Sequence, residues 1–326
     1  MLNVFSTETR LIPLQASEAA ILPEGVAWID LLRPTQDEEK FIARSLGIEI
    51  PTREEMQEIE PSSRLYIENG AMYLTANILV NADTDEPGST AVTFILSGQR
   101  LITIRYAEPR PFVTFAAHIT RQPGLCVSGP VALINLLDAI VDRIADILEK
   151  VGADVDGLSR HVFRRDSKRG TRRRSEVEFE AVLRRIAHNQ DLTAKARDSL
   201  VSLGRLLSFL ALPGEAKQAK DLRMRAKSLS RDVMSLTDHT GFVAGNINFL
   251  LETNMGMINI EQNAIIKIFS VAAVVFLPPT LVASIYGMNF EFMPELKWML
   301  GYPLAIGLMI VSAVLPYLWF KHRGWL

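Results

Sequence analysis

The chain has 326 residues, of which 48% are hydrophobic, and its formal net charge is −2. This near-neutral balance gives no sign of nucleic-acid binding, and the single cysteine, Cys126, excludes an internal disulfide. No cysteine or histidine group has zinc-binding spacing. The N-terminus lacks a basic segment followed by an apolar run, so we expect no secretory signal and a soluble region that stays in the cytoplasm.

Residues 1–130 are predicted to form a cytoplasmic α/β domain. The apolar run Val26–Leu32 is typical of a buried strand, and Thr35 followed by carboxylates indicates a helix that ends at Gly47. Two pairs of strands rich in β-branched and aromatic residues come next: Arg64–Ile67 with Met72–Val80, and Ala91–Leu96 with Leu101–Tyr106. We expect a mixed, largely antiparallel sheet with helices packed on it.

Residues 131–212 are predicted to be cytoplasmic helices. Apolar side chains recur at helical spacing over Val131–Val151, and a second helix is expected from Glu176 to Leu210. Residues 164–174, between these helices, are rich in arginine and lysine. This basic run is either a contact for anions or lipid headgroups or a solvated turn, and the turn is the simpler interpretation.

Residues 213–264 are predicted to form a cytoplasmic stalk helix. No proline occurs from Glu215 to Leu277, and apolar residues recur every seven positions, which is typical of a long helix packed against other helices. The stalk is expected to continue into the membrane, so that it could carry a conformational signal to that region.

Two uncharged stretches predict a membrane hairpin. Ile268–Tyr286 contains 19 residues and Met299–Phe320 contains 22, and about 20 apolar helical residues cross a bilayer core. We assign the rest of the chain accordingly: first span 265–286, external loop 287–298, second span 299–320 and basic tail 321–326. The fold class is therefore α+β.

Basic residues beside the two spans indicate their orientation. Lys267 precedes the first span, and Lys321 and Arg323 follow the second. Because basic residues prefer the cytoplasmic side, both termini are expected inside the cell, with the connecting loop outside.

One face of the first span is small or polar except at Ile266 and Leu277, and Phe269 lies beside it. Residues three and four positions apart lie on the same side of a helix, and here they form a stripe that ends at Gly287. A stripe of this kind faces protein or water rather than lipid. It either lines a pore or allows close helix packing. Two spans cannot enclose a water-filled path, so a pore would need several copies around one axis. The candidate pore-lining residues are Asn263, Ile266, Phe269, Ser270, Ala273, Leu277, Thr280 and Ser284.

The loop after the first span is acidic and aromatic. If several copies met around an axis, Glu291 and Glu295 would attract cations to its mouth. Otherwise they are solvated loop charges.

The segment Tyr286–Phe290, with Met293–Leu296 after it, resembles the signature of the CorA family of magnesium transporters. Members carry a Gly-Met-Asn motif at the end of the first of two C-terminal spans, and the motif here is Gly287, Met288 and Asn289. The resemblance is strong from Ile260 to the C-terminus and is one of layout upstream.

The resemblance implies a homopentameric funnel in the cell inner membrane, surrounded by lipid, that conducts Mg²⁺ and also Co²⁺, with Ni²⁺ as a further candidate. The motif would bind the hydrated ion, and the stripe would line the pore. Ile266 and Leu277 would form rings that close by dewetting. No enzyme activity and no organic cofactor are expected.

The resemblance also implies a gate held closed by Mg²⁺ bound between cytoplasmic parts of neighbouring subunits. The acidic candidates for this regulatory site are Asp83, Asp85, Asp232 and Asp238. Each is otherwise a surface charge.

Two rival functions remain open. One is transport of another metal, Zn²⁺ above all, because related families share the two-span layout. The other is a membrane-anchored enzyme or scaffold, although no nucleophile-elbow or zinc-protease motif occurs.

Overall fold

The computed structural model describes residues 1–6, 11–13, 22–163, 176–211, 218–288 and 293–324. The chain divides into two compact units. Unit 1 comprises Met1–Arg165 and Glu180–Leu251, and unit 2 comprises Asp166–Phe179 and Glu252–Leu326. The basic run 164–174 lies outside the described residues.

Strands of the described residues in unit 1 form one sheet, in the order β2-β1-β3-β7-β6-β5-β4. Only β3 and β7 are parallel neighbours, and the other pairs are antiparallel. The prediction of a mixed, largely antiparallel sheet is confirmed. The strands are β1 (Leu2–Ser6), β2 (Leu11–Pro13), β3 (Val26–Leu32), β4 (Leu65–Glu68), β5 (Ala71–Val80), β6 (Gly88–Ser97) and β7 (Arg100–Arg105).

Helix α1 (Gln36–Leu46) begins and ends where the sequence predicts. The Thr35 hydroxyl accepts a hydrogen bond from the Glu38 N–H, and the Glu38 carboxylate accepts one from the Thr35 N–H, which together cap the helix. Gly47 ends it with φ of 65°, a left-handed conformation that favours glycine. Two short helices follow, α2 (Arg53–Met56) and α3 (Pro61–Arg64).

Two apolar layers cover the sheet. Phe41 and Ile42 of α1 and Met56 of α2 belong to a buried cluster with side chains of the strands. On the aromatic side of the sheet, Trp28 stacks on Phe5 with ring centroids 4.2 Å apart and lies 5.4 Å from the ring of Phe115.

Phe115 belongs to α4 (Arg110–Arg121), which the sequence analysis did not predict, and α5 (Gly129–Phe163) packs on β3, β6 and β7. Helix α5 is longer than the predicted Val131–Val151. Its first residue must be glycine, because a Cβ on Gly129 would lie 2.3 Å from the Arg100 carbonyl carbon. Cys126, just before α5, is buried.

The remaining helices are α6 (Glu176–Leu210), α7 (Gln218–Tyr286) and α8 (Gly301–His322). The bounds of α6 match the prediction, and α7 is one helix of 69 residues. In unit 1 the predicted seven-residue seam of α7 is buried at Ala226, Leu229, Val233, Thr240, Val243, Ile247 and Leu250.

Among the described residues, two helices are long and apolar enough to cross a membrane. Residues Arg223–Tyr286 of α7 include a window of mean hydropathy 2.2, and α8 includes one of 1.9. Helix α8 begins at Gly301 rather than Met299, and Pro303 in its first turn costs no hydrogen bond within the helix.

Candidate functional site

The membrane part of α7 has a buried side and an exposed side. Val271 is the one buried side chain between residues 263 and 286. Val275, Pro278, Val282 and Tyr286 are half-buried and follow it on the same side at about 100° per residue. We call this set, with Val271, the buried arc of α7.

At about 100° per residue, Ile266, Phe269, Ala273, Leu277, Thr280 and Ser284 lie on the side of the helix away from the buried arc, whereas Asn263 and Ser270 lie about a quarter of a turn from Val271. Each of them is exposed in the single chain. The largest are Ile266, Phe269 and Leu277, with 60%, 71% and 65% of their surfaces exposed. An apolar side chain this exposed must be covered by lipid or by another protein surface. We call the eight predicted residues the pore stripe.

Thr280 shows how the pore stripe can accept hydrogen bonds. Its hydroxyl donates to the carbonyl oxygen of Phe276 at 2.7 Å. With its proton committed to the backbone, the oxygen presents lone pairs. Pro278 and Pro279 lie within the helix just before it, and each removes one backbone donor from this turn.

The Gly-Met-Asn motif begins where α7 ends. The Gly287 N–H donates to the Ala283 carbonyl at 3.0 Å, and the Met288 N–H donates to the Ile285 carbonyl at 3.3 Å. A Cβ on Gly287 would lie 3.0 Å from the same Ala283 oxygen, so a side chain there would disturb this last turn. Met288 is half exposed.

The rest of the predicted ion-binding loop is only partly described. Asn289 and Glu291 lie outside the described residues. Glu295 lies in a short 3-10 helix, Pro294–Lys297, and its side chain is also outside the described part.

In unit 1, Asp83 is the centre of an ion-pair cluster. Its carboxylate is 3.0 Å from Arg110 and 3.7 Å from Lys150, and it contacts Arg143 at shorter range. Desolvation raises the pKa of Asp83, but these three positive charges outweigh it, and the pKa is lowered overall. The oxygens that a regulatory cation would need are therefore engaged by side chains of the same chain.

The other regulatory candidates lie apart. Asp85 is exposed in the loop between β5 and β6, and Asp232 and Asp238 are exposed on different sides of α7. Among the described residues, no three acidic, histidine or cysteine side chains are close enough together to hold a metal.

The sequence analysis missed an acidic row on α5. Asp138, Asp142 and Asp146 are spaced by four residues and are exposed along one side of this helix. The pKa of Asp142 is raised, first by desolvation and then by the negative charges of Asp138, Asp146 and Asp232. The spacing of four residues can be read from the sequence. The approach of Asp232 to this row cannot, because it depends on how α5 and α7 pack. We call these four residues the acidic ridge.

The fold combines a mixed sheet domain, a long helix and two C-terminal helices that are long and apolar enough to span a membrane, which is the layout of a two-span membrane protein. A sequence model described as CorA-like Mg²⁺ transporter protein matches residues 23–322, and the chain belongs to this family.

Curated relatives match over their whole length. The magnesium transport protein CorA of Escherichia coli K12 is 37% identical over 331 residues, covering 100% of both chains. The protein of the same name from Yersinia pseudotuberculosis is 36% identical over 327 residues, again with full coverage of both. The structure of the CorA magnesium transporter from Methanocaldococcus jannaschii superimposes with a TM-score of 0.75 at 18% identity, over 100% of this chain and 98% of that one.

Proposed function

We propose that this chain assembles as a homopentamer in the cell inner membrane and conducts Mg²⁺ into the cytoplasm, where both of its termini lie. The observation that carries the proposal is the position of the pore stripe. Its eight residues are exposed, six of them lie on the side of the helix away from the buried arc, and the stripe leads directly to the Gly-Met-Asn motif. Family membership and the full-length relatives named for magnesium transport support the choice of ion.

The first contact with the ion follows from the chemistry of Mg²⁺. This ion gives up its water reluctantly and prefers octahedral oxygen coordination. A ring of Asn289 side-chain oxygens and Gly287 carbonyls, with Met288 between them, would bind the hydrated ion through its waters. Glu291 and Glu295 would raise the local cation concentration without stripping those waters.

We assign both the passage of the ion and the closure of the pore to the pore stripe. The Thr280 oxygen, whose proton is donated to Phe276, would accept hydrogen bonds from the waters of a passing ion, and Asn263 would do so nearer the cytoplasm. Rings of Ile266, Phe269 and Leu277 would close the path by dewetting. Ser270 and Ala273 leave room between the Phe269 and Leu277 rings, and Ser284 leaves room between Leu277 and the motif.

The membrane potential is a sufficient driving force. A divalent cation gains about 4.6 kcal/mol on crossing 100 mV, at about 2.3 kcal/mol for each charge. The sequence contains no P-loop for nucleotide hydrolysis. A channel therefore needs no other energy source, and no organic cofactor enters the proposal.

The acidic ridge is the part of unit 1 best suited to sense cytoplasmic Mg²⁺. Four carboxylates repel each other there, and desolvation, followed by this repulsion, raises the pKa of Asp142. A hydrated cation would relieve that repulsion without direct ligation. This role extends the earlier assignment of Asp232, with Asp238 and Asp85 as further contributors if a neighbouring subunit supplies partners. Asp83 would contribute only after its ion pairs with Arg110, Arg143 and Lys150 break.

Co²⁺ and Ni²⁺ are proposed as further substrates, because both are hydrated divalent ions of octahedral preference. Zn²⁺ is the rival substrate. Competition during uptake separates the two: excess Mg²⁺ should suppress ⁵⁷Co²⁺ uptake strongly, whereas suppression by Zn²⁺ alone would favour the rival.

Cysteine accessibility tests the pore assignment directly. In a Cys126→Ser background, which removes the one native cysteine, single cysteines replace Ser270, Ala273 and Ser284 of the pore stripe. An impermeant thiol reagent should block flux through these variants. Matched cysteines at Val271 and Val282 of the buried arc should not be blocked, and equal block at both sets would refute the assignment.

A further inference from the structure

A polar cleft of about 400 Å³ lies in unit 1, far along the chain from the membrane residues. Short helices α2 and α3 supply Arg53 and Arg64 to its wall, and Tyr106 follows strand β7. A cavity of this volume is within the usual range for a small-molecule ligand. Neither the pore nor the acidic ridge uses any of these residues.

Two guanidinium groups line this cleft, and the Asp198 carboxylate in the same lining acts on Arg64 through its charge without forming an ion pair with it. Within the described part of the chain, neither Arg53 nor Arg64 forms an ion pair. Burial lowers the pKa of Arg64, the charge of Asp198 raises it, and the charge of Arg205 lowers it further. A bound anion would offset this cost of placing positive charges together in a partly buried site.

Both arginines are held in place by other contacts. The guanidinium carbon of Arg53 lies 5.2 Å from the centroid of the Tyr106 ring, a cation–π contact. The Nε of Arg64 donates to the Glu58 carbonyl oxygen, so its two terminal nitrogens remain as a fork. A fixed fork is the arrangement that binds phosphate oxygens through two parallel hydrogen bonds.

The remaining wall suits the body of a phosphorylated molecule rather than a bare ion. Asp198, the carboxylate in the described lining, accepts a hydrogen bond from the Asn77 amide at 2.9 Å and is thereby held against β5. Ser89 and Thr90 add hydroxyl groups, and the exposed Ile59 adds apolar surface.

We propose that this cleft binds a small phosphate-bearing anion of nucleotide size, with Arg53 and Arg64 on its phosphate. Such anions are the main small-molecule ligands of Mg²⁺ chemistry because their oxygens are the hard ligands that the ion prefers. The site would therefore let the soluble unit respond to the phosphate compounds that compete for the transported ion.

Calorimetric titration of the full-length protein in detergent tests the proposal, with inorganic pyrophosphate and ATP as separate probes in Mg²⁺-free buffer containing EDTA. We expect at least one probe to bind with a dissociation constant below about 1 mM. The Arg53→Ala/Arg64→Ala variant should bind at least about tenfold more weakly. The Arg64→Lys variant keeps the positive charge but loses the fork of two nitrogens. Its dissociation constant should therefore lie between those of the wild type and the double variant.

Arg121→Ala is the matched control, because Arg121 is an exposed arginine at the end of α4, away from the cleft lining. It should bind like the wild type. Failure of folded wild-type protein to bind either probe would overturn the proposal, as would equal binding by the double variant. Binding is measured without transport, so neither result bears on the channel itself.

Discussion

The carboxylate of Asp30 and the guanidinium of Arg105 form a two-point ion pair across the parallel strands β3 and β7. Arg105 Nη2 lies 2.8 Å from Asp30 Oδ2, and Nε lies 3.0 Å from Oδ1. Both side chains are buried. Thr103 also donates to Asp30 Oδ1 and accepts from the Trp28 indole, so the pair belongs to a fully hydrogen-bonded network at the one parallel junction of the sheet.

Asp30→Asn is expected to destabilise unit 1 by about 3 kcal/mol or more, because it leaves the Arg105 charge buried and uncompensated. Thermal unfolding followed by tryptophan fluorescence measures the loss. Asp191→Asn is the control. It removes an exposed pair with Lys195 and should cost less than about 1 kcal/mol. Equal losses of stability from the two substitutions would contradict the expectation that the buried pair is the more costly one to break.

Asn289→Ala is expected to abolish Mg²⁺ uptake while the protein stays folded and oligomeric. The reason is the loss of the side-chain oxygen ring proposed to hold the hydrated ion. Uptake into proteoliposomes measures the effect, and size-exclusion chromatography checks the assembly. Gln190→Ala, which removes an exposed side-chain amide from α6, should transport normally. Normal uptake by the Asn289 variant would remove the proposed filter.

Leu277→Ala is expected to leak. A smaller side chain widens the apolar ring and allows water to remain in it, so basal flux at high soluble-side Mg²⁺ should rise several-fold. Leu308→Ala on α8, another exposed leucine, serves as the control and should leave the flux unchanged. If the Leu277 variant closes like the wild type, the dewetting gate lies at another ring.

The raised pKa of Asp142 predicts a pH-dependent stability. Because the folded state holds this proton more tightly than the unfolded state, the contribution of Asp142 to stability should fall as pH rises above the ordinary aspartate value of 3.8. Mg²⁺ should restore stability at neutral pH by screening the acidic ridge. Melting temperatures in EDTA and in Mg²⁺ measure both effects.

The matched variant for this experiment is Asp142→Asn, which removes the titrating group. It should weaken the response to Mg²⁺ and flatten the pH dependence in EDTA. An Asp156→Asn variant, on the same helix but outside the ridge, should behave like the wild type. An unchanged Mg²⁺ response in the Asp142→Asn variant would show that the acidic ridge does not sense Mg²⁺.

Elements specified by short-range signals were predictable from the sequence. Thr35 and Gly47 mark the two ends of α1 by their capping chemistry, and uncharged length alone indicates the spanning helices. The bounds of β3 and α6 follow from apolar runs and periodicity. Helix α4 was missed because Pro109 and Pro111 suggest a loop, although both lie at its N-terminal end, where proline is tolerated.

Features that depend on distant contacts were not predictable. The pairing of Asp30 with Arg105 requires the parallel register of β3 and β7, and the acidic ridge requires α7 to bring Asp232 to α5. The ion pairs of Asp83 reverse the simple expectation that an acidic loop residue is free to bind a cation. By contrast, the pore stripe follows from helical periodicity within one element, and its role in lining a pore stays a prediction.

Ion flux into proteoliposomes under an imposed inside-negative potential is the most direct test of the central claim. The protein is oriented with its soluble domain inside, external Mg²⁺ or ⁵⁷Co²⁺ is supplied, and internal Mg²⁺ is varied. The account predicts potential-driven influx that shuts down as internal Mg²⁺ rises. Absence of influx for every divalent ion, from protein shown to be folded and oligomeric, would contradict it.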